Sequence, residues 1–329
     1  MDLDLYHPWT PSVEEVSSLA LECEASALGA DARIENSEGA SVDAHQGVEV
    51  YGNSLGFIGH TQKSRQGISC SVIAGSGDSM QRDYWYSSAR RLRDLDTPEH
   101  VGDQAARRTL RRLGARRVPT CKVPVIYEAP VASSLLGHFI SAISGGALYR
   151  KASFLLDHLD KKIFPEFVRI HEQPLILGGM GSAAFDGEGV ATSARDIVSD
   201  GILRGYVLGS YSARRLELQT TGNAGGVHNL TIDTGDQNLE QMISGIDEGF
   251  LVTELIGFGI NNVTGDYSRG AAGLWIENGE IAYPVEEVTV AGNLKDIFQN
   301  IAAIGNDVDP RRSTRCGSIL VEGLTIAGD

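Results

Sequence analysis

Thr253-Glu254-Leu255-Ile256-Gly257-Phe258-Gly259-Ile260-Asn261-Asn262-Val263-Thr264-Gly265-Asp266-Tyr267-Ser268-Arg269-Gly270 runs directly into Ala271-Ala272-Gly273-Leu274-Trp275-Ile276-Glu277-Asn278-Gly279-Glu280. The stretch reads as alternating strands pinned by glycine-rich turns. Asn278-Gly279 between two apolar runs is a strong hairpin signal, because both residues accept the positive φ of a tight reversal. Val285, Val288 and Val290, following Pro284, predict a returning strand that ends near Gly292. Asp266 to Gly270 is expected in a turn, with Asp266 accepting backbone amides and Arg269 presenting its two-pronged guanidinium to a carboxylate. Such a pair either maintains the fold or recognises a substrate or partner, and Tyr211, Arg214 and Arg215 belong to the same group.

Working outward, 329 residues exceed the size at which a single core stops growing, so two packed units are expected. The 39 glycines argue for many turns and strand ends and against a helical bundle. A net charge of -15 argues against general nucleic-acid affinity, which relies on neutralising phosphates with Lys and Arg. One basic sector stands out against it: Arg82, Arg90, Arg91, Arg93, Arg107, Arg108, Arg111, Arg112, Arg116, Arg117 and Lys122. It reads as a solvated face countered by Asp94, Asp96, Glu99 and Asp103, then as a docking surface for an acidic partner subunit, and last as a nucleic-acid contact. Cysteines at 23, 70, 121 and 316 form no close pair, which fits a reducing compartment and no Cys-x-x-Cys metal site. No signal peptide is seen, and no apolar run approaches the roughly 18 to 20 residues of a membrane span; a cytoplasmic location is expected.

Thr10 and Pro11 predict the start of a helix whose apolar side is Val13, Val16, Leu19, Ala20, Cys23 and Ala27, ending at Gly29. Short strands follow at 32–35, 40–44, 48–51, 57–61, 68–74 and 80–88, read as an antiparallel meander. A second helix begins at Thr97-Pro98-Glu99 and runs to Gly114. A change of composition between Pro119 and Pro124 places the division at 1–118 and 119–329. The fold class is therefore α+β: a small N-terminal helix-and-antiparallel-sheet unit, then a larger sheet-rich C-terminal unit with curved antiparallel strands. In the second unit, helices are expected only at about 130–143, 239–249 and 294–304, the last capped by Asn293 with Asp296 as reciprocal partner.

Three further features carry possible chemistry. Gly222-Asn223-Ala224-Gly225-Gly226-Val227-His228-Asn229 either forms a structural loop or lends Asn223, His228 and Asn229 to a peptide groove or subunit interface. His138, on an apolar helix, reads as a hydrogen-bonded core residue before a base or ligand, and His158 and His171 as surface residues. Cys316 reads as a small buried residue in a turn before a strand, with a residual ligand or reactive thiol as the alternatives.

The long stretch quoted first, together with Asp4-Leu5-Tyr6-His7-Pro8-Trp9, Asn36-Ser37-Glu38-Gly39-Ala40, Val50-Tyr51-Gly52-Asn53-Ser54, Tyr149-Arg150-Lys151, Ser210-Tyr211-Ser212-Ala213-Arg214, Gly222 to Asn229, Ala291 to Asp296, Gly305-Asn306-Asp307 and Cys316-Gly317-Ser318, resembles the PmbA/TldD family in its PmbA (TldE) branch. Members of that branch carry a further N-terminal region, so residues 1–118 look like the remainder of an N-terminal domain. In the sister TldD branch the helix matching Leu136 to Ala142 carries a His-Glu-x-x-x-His metal motif completed by a cysteine. The resemblance aligns its histidines with Gly137 and Ala142, its glutamate with His138 and its cysteine with Cys316. Glycine and alanine offer zinc no side-chain electron pair, and a catalytic zinc also needs a carboxylate to serve as general base. The resemblance thus implies no metal and no cofactor in this chain. It implies the non-metal partner of a heterodimeric zinc metalloprotease, which holds unfolded or leader-like peptides while a TldD-like subunit carries the zinc. A homodimer is compatible with that role when the partner is missing, and the sequence does not fix the oligomeric state of the chain alone. Two alternatives stay open: a non-enzymatic regulatory protein, in line with the family's older gyrase-modulator label, and an independent metal-free peptidase using Cys316.

Overall fold

The computed structural model describes residues 1–328, with Asp78 described through its backbone alone. Asp329, at the end of the expected second unit, lies outside the described residues. Two compact units emerge, one comprising Asp2–Tyr51 and Ile58–Ala115, the other Met1, Gly52–Phe57 and the chain from Arg116 onward.

In the smaller unit, helix α1 (Val13–Gly29) starts two residues later than Thr10-Pro11 predicts. Ser12 is the cap, because Glu15 completes a capping box: the Ser12 hydroxyl accepts from the Glu15 amide at 3.2 Å and the Glu15 carboxylate accepts from the Ser12 amide at 2.7 Å. The expected short strands 32–35, 40–44 and 48–51 fuse into one strand, β1 (Ile34–Gly52), and 57–61 and 68–74 fuse into β2 (Ile58–Ala74). With β3 (Gln81–Ala89) they form a three-stranded sheet. The sequence splits these strands because residues 43–50 of β1 are exposed on both faces and carry no burial alternation. Helix α2 (Pro98–Leu110) begins as predicted, with the Thr97 hydroxyl accepting from the His100 amide and Pro98 in the first turn. Cys23 and Ala27 of α1 pack with Val101, Ala105 and Ala106 of α2 and with Cys70 and Val72 of β2 to make this unit's core.

Several residues of the basic sector are paired with acidic side chains, and Arg108 and Arg112 share Asp83. Arg91 pairs with Asp4, Arg82 with Glu38, Arg108 with Asp83, and, in the larger unit, Arg117 with Glu287. Arg116 lies over the Tyr283 ring at 3.4 Å.

The larger unit is built from β4 (Cys121–Tyr127), α3 (Ala129–Ala142), α4 (Gly145–Tyr149), β5 (Ile170–Glu172), β6 (Arg195–Ser199), β7 (Ile202–Leu203), α5 (Ser210–Arg215), β8 (Leu230–Ile232), α6 (Leu239–Ser244), β9 (Glu248–Ile256), β10 (Asp266–Glu277), β11 (Glu280–Asn293), α7 (Leu294–Gln299), β12 (Ile301–Ile304), β13 (Thr314–Arg315) and β14 (Ile319–Ala327). The strand order β11-β10-β9-β4-β14-β12, with an added pairing of β11 to β14, turns the main sheet back on itself. Only β4 with β9 runs parallel among its described pairs. The β10–β11 hairpin turns at Asn278 and Gly279, at φ +53° and +79°, as the sequence predicts. Asp266 to Gly270 is already strand, however, and the turn lies before Asp266. Asn293 caps α7 through the Lys295 amide, without the expected reciprocal bond from Asp296. Short helices α4 and α5 add to the three that periodicity picks out.

The core of this unit lies between α3 and the main sheet. Phe139 of α3 meets Phe164 and Phe298 edge-on, at 5.2 and 6.0 Å between ring centres. A second, smaller sheet runs β13-β8-β5-β6-β7.

Candidate functional site

Helix α3 begins where the Ser318 hydroxyl accepts from the Ala129 amide, itself donating to Asp307 at 2.7 Å. One side of the helix, with Leu135, Leu136, Phe139 and Ala142, goes into the core. The other side carries Gly137, Ile140 and Ser141 to the wall of a groove of about 540 Å³. Tyr149 of α4, Tyr211 and Ser212 of α5, and the backbone of Asn223 to Gly226 line the rest, with Glu188 at the rim. Tyr149 and Tyr211 meet edge-on at 5.7 Å. α4 and α5 come together only because Gly145 has no side chain: a Cβ there would stand 2.2 Å from the Ser212 hydroxyl and 2.9 Å from Leu208. Gly225 and Gly226, at φ +107° and +119°, carry the loop past the groove with nothing packed over them.

What holds that loop is Glu172, at the end of β5 and 1% exposed. One carboxylate oxygen accepts from the His228 amide at 2.6 Å, the His228 ring at 2.9 Å and the Asn223 side chain at 2.8 Å. The other accepts from Arg195 at 3.2 Å, while Arg195 also donates to the Tyr206 carbonyl and the Asn223 side-chain oxygen. Burial pulls the Arg195 guanidinium below its ordinary value, and Glu172 opposes that pull. Asp186 adds a second tie, accepting from the amides of Glu188, Val190 and Ala224. Glu188 in turn accepts from the Ser210 amide at 2.7 Å and so fixes the start of α5.

Of the residues singled out from sequence, Gly137, Tyr211 and Asn223 share the groove. Arg214 is exposed on the last turn of α5. His228 and Asn229 spend their side chains on the fold: Asn229 accepts from the Gly181 amide and donates to the Gln173 carbonyl and the Ser182 hydroxyl. Asp266 accepts from the Thr264 hydroxyl and the Asn293 side chain, not from backbone amides. His138 and Arg269 lie away from the groove, in a cluster described below. His171 is not a surface residue: it is 9% exposed and pairs with Asp233 at 2.9 Å. Glu172, Arg195 and Asp186 escaped the sequence reading, since nothing in three residues of strand announces that three chain segments will meet on one carboxylate.

The metal-motif positions do not make a ligand set. Gly137 is exposed and Ala142 is fully buried, so they open on different surroundings. The Cys316 sulfur lies 3.9 Å from the Ala129 carbonyl. Ala129 is about 12 Å along the helix from Gly137 at 1.5 Å per residue. Burial, with the charges of Asp309 and Asp307, pushes the Cys316 thiol up to about 12, away from the thiolate that binds metal or attacks carbonyls. No group of three or more His, Cys, Asp or Glu among the described residues is disposed to hold a metal ion. These residues do not fit a zinc ion.

Two family models match nearly end to end: the PmbA/TldA metallopeptidase central domain over residues 6–113 and the PmbA/TldA metallopeptidase C-terminal domain over residues 120–328. The chain belongs to the PmbA/TldD family. It is 50% identical over 327 residues to the metalloprotease PmbA of Escherichia coli O157:H7, covering 99% of this chain and 73% of that protein. The crystal structure of a candidate DNA gyrase modulator from Bacteroides thetaiotaomicron superposes with a TM-score of 0.95 at 33% identity, covering 100% of this chain and 75% of that one. TldE of Thermococcus kodakarensis shares the fold, with a TM-score of 0.82 at 22% identity over 100% of this chain and 79% of its own. Among the described residues no helix is long and apolar enough to cross a membrane.

Proposed function

We propose that this chain is the non-metal subunit of a TldD/TldE-type zinc metallopeptidase acting on unfolded or leader-like peptides. The observation that carries this reading is the groove beside α3. It is sized for a peptide segment, walled by two tyrosines and the glycine-rich loop from Asn223 to Gly226, and faced at Gly137 by a position with no metal donor. The loop's own amides and carbonyls are largely tied into the fold, so the tyrosines offer the contact area to a peptide's side chains, and Gly225 and Gly226 let its backbone come close. In this role the chain grips and orients substrate; zinc and the activation of water belong to a TldD-like partner. The metalloprotease name of the Escherichia coli relative supports the reaction class. Cys316 lends no support to a thiol mechanism, being buried and protonated at neutral pH.

The test is to measure metal content, peptidase activity and size of the chain alone and after mixing with a TldD-like subunit from the same genome. The chain alone is expected to be metal-free and inactive, and the mixture to form a stable complex with zinc-dependent cleavage. Stoichiometric zinc and cleavage by the chain alone would overturn the assignment.

A further inference from the structure

On the flank of α3 next to the groove's glycine wall, four polar side chains meet, each with a buried atom left unsatisfied. Tyr267 and Arg269 are two residues apart on β10 and so share a face of the sheet. Tyr127 ends β4, and His138 comes down from α3 to meet the Tyr267 ring edge-on at 6.0 Å. The hydroxyls of Tyr127 and Tyr267, Nε2 of His138 and Nε of Arg269 are all buried and all lack a hydrogen-bond partner. Tyr127 is fully buried and Tyr267 is 1% exposed. The two phenols approach one another as hydrogen-bond neighbours, a contact that raises Tyr127 and lowers Tyr267 against the pull of burial, but neither hydroxyl completes a bond of good geometry.

Native interiors satisfy nearly all of their buried polar atoms, so four orphans in one place point to a ligand. We propose that Arg269, Tyr127, Tyr267 and His138 form a binding site for a carboxylate group of a peptide.

The charge balance selects that chemistry. Burial first, and then the positive charge of Arg269, hold His138 below its ordinary value, so its ring is neutral at neutral pH. Burial raises both phenols, Tyr127 most strongly, so both are protonated donors. Arg269 has no ion-pair partner among the described residues, and its charge acts on all three neighbours. One guanidinium surrounded by neutral donors balances a single negative charge. A phosphate dianion would leave a second charge uncompensated in a buried place. A carboxylate also matches the planar guanidinium edge, with oxygens left to accept from the phenols.

The site needs only this chain, so it stands or falls separately from any metal-bearing partner. Its carboxylate comes either from a peptide's C-terminus or from an Asp or Glu side chain. The experiment is a calorimetric titration of the full chain with N-acetyl-triglycine, its C-terminal amide, and N-acetyl-Gly-Glu-Gly-amide. Binding of the free acid with loss in the amide supports the proposal and assigns the chain end; binding of the glutamyl amide assigns the side chain. Arg269→Gln is expected to weaken the bound probe roughly 10- to 100-fold, the range of a hydrogen bond to a charged group. Arg269→Lys, which keeps the charge but loses the flat fork, should fall between. Tyr267→Phe should weaken binding several-fold while leaving the thermal midpoint of the unliganded chain unchanged or higher. Equal binding of acid and amide, no binding of any probe, or unaltered affinity in Arg269→Gln would each overturn it.

Discussion

The cluster around Glu172 and the cluster around Arg269 both bury polar groups in the larger unit, but one is closed and the other open. Glu172 receives three donors on one oxygen and Arg195 on the other, and Asn223 uses both ends of its amide within the same group. Tyr127, Tyr267, His138 and Arg269 leave four buried atoms unanswered. A saturated network has no capacity left for a ligand and acts as scaffold; an unsaturated one is costly to the fold by itself and is explained by what it binds. The two can therefore be told apart by what their removal does to an unliganded chain.

The largest effect is expected from Glu172→Ala. It removes the common acceptor and leaves Arg195, mostly buried, without its counter-charge. Breaking a buried pair in this way costs about 3–5 kcal/mol, measurable as a fall in the urea midpoint with an unchanged slope. The same variant should loosen the loop from Asn223 to Gly226, seen as faster amide exchange there. A loss under about 1 kcal/mol would show that the network is not the scaffold described.

Next comes Gly145→Ala, which tests the groove that the Glu172 cluster supports. The new methyl would collide with Ser212 and Leu208, both close enough that something must move. Overpacking of this kind costs about 1–3 kcal/mol and would push α5, with Tyr211, away from α4. Peptide binding in the groove should weaken with it. If affinity is unchanged, the groove between Tyr149 and Tyr211 is not where peptide lies.

Smaller still is Tyr127→Phe in the open cluster. Removing an unsatisfied buried hydroxyl should leave stability within about 1 kcal/mol of the parent, or raise it, whereas Asn229→Ala, which breaks three made bonds, should cost about 1–3 kcal/mol or more. Equal losses in the two variants would mean that Tyr127 is as well satisfied as Asn229, and the contrast would disappear.

How far the sequence reached follows the same division between local and distant causes. Thr97-Pro98 and Asn278-Gly279 are written in adjacent residues, and the structure has both the helix start and the hairpin. Ser12 displaced Thr10 because a cap is decided by its partner three residues on, and Glu15 serves Ser12. Helix α5 is six residues long and held at its start by Glu188, far away in sequence, so no periodicity could reveal it. Glu172 carries no local signal for the same reason, since its partners Arg195, Asn223 and His228 lie far away in sequence. In sequence Arg269 reads as a fork suited to a carboxylate, but its neighbours Tyr127 and His138 arrive from other elements and only the fold assembles them.

The finest test of the open cluster is the titration of His138 itself. Its folded value lies below the ordinary 6.5, with burial the larger cause and Arg269 the smaller. By linkage, keeping the ring neutral contributes stability that is present above about 6.5 and is lost as pH falls through the lowered value, where the folded chain must also take up the proton. Arg269→Gln removes one of the two causes and leaves the other. The His138 ring protons, followed by NMR, should therefore titrate at a higher pH in the variant than in the parent, yet still below the ordinary value. The acid-side loss of stability should shrink accordingly. Bound N-acetyl-triglycine should shift the parent in the same direction, because a carboxylate beside Arg269 offsets its charge. A titration that ignores both the substitution and the peptide would place Arg269 too far from His138 for the two to serve one ligand.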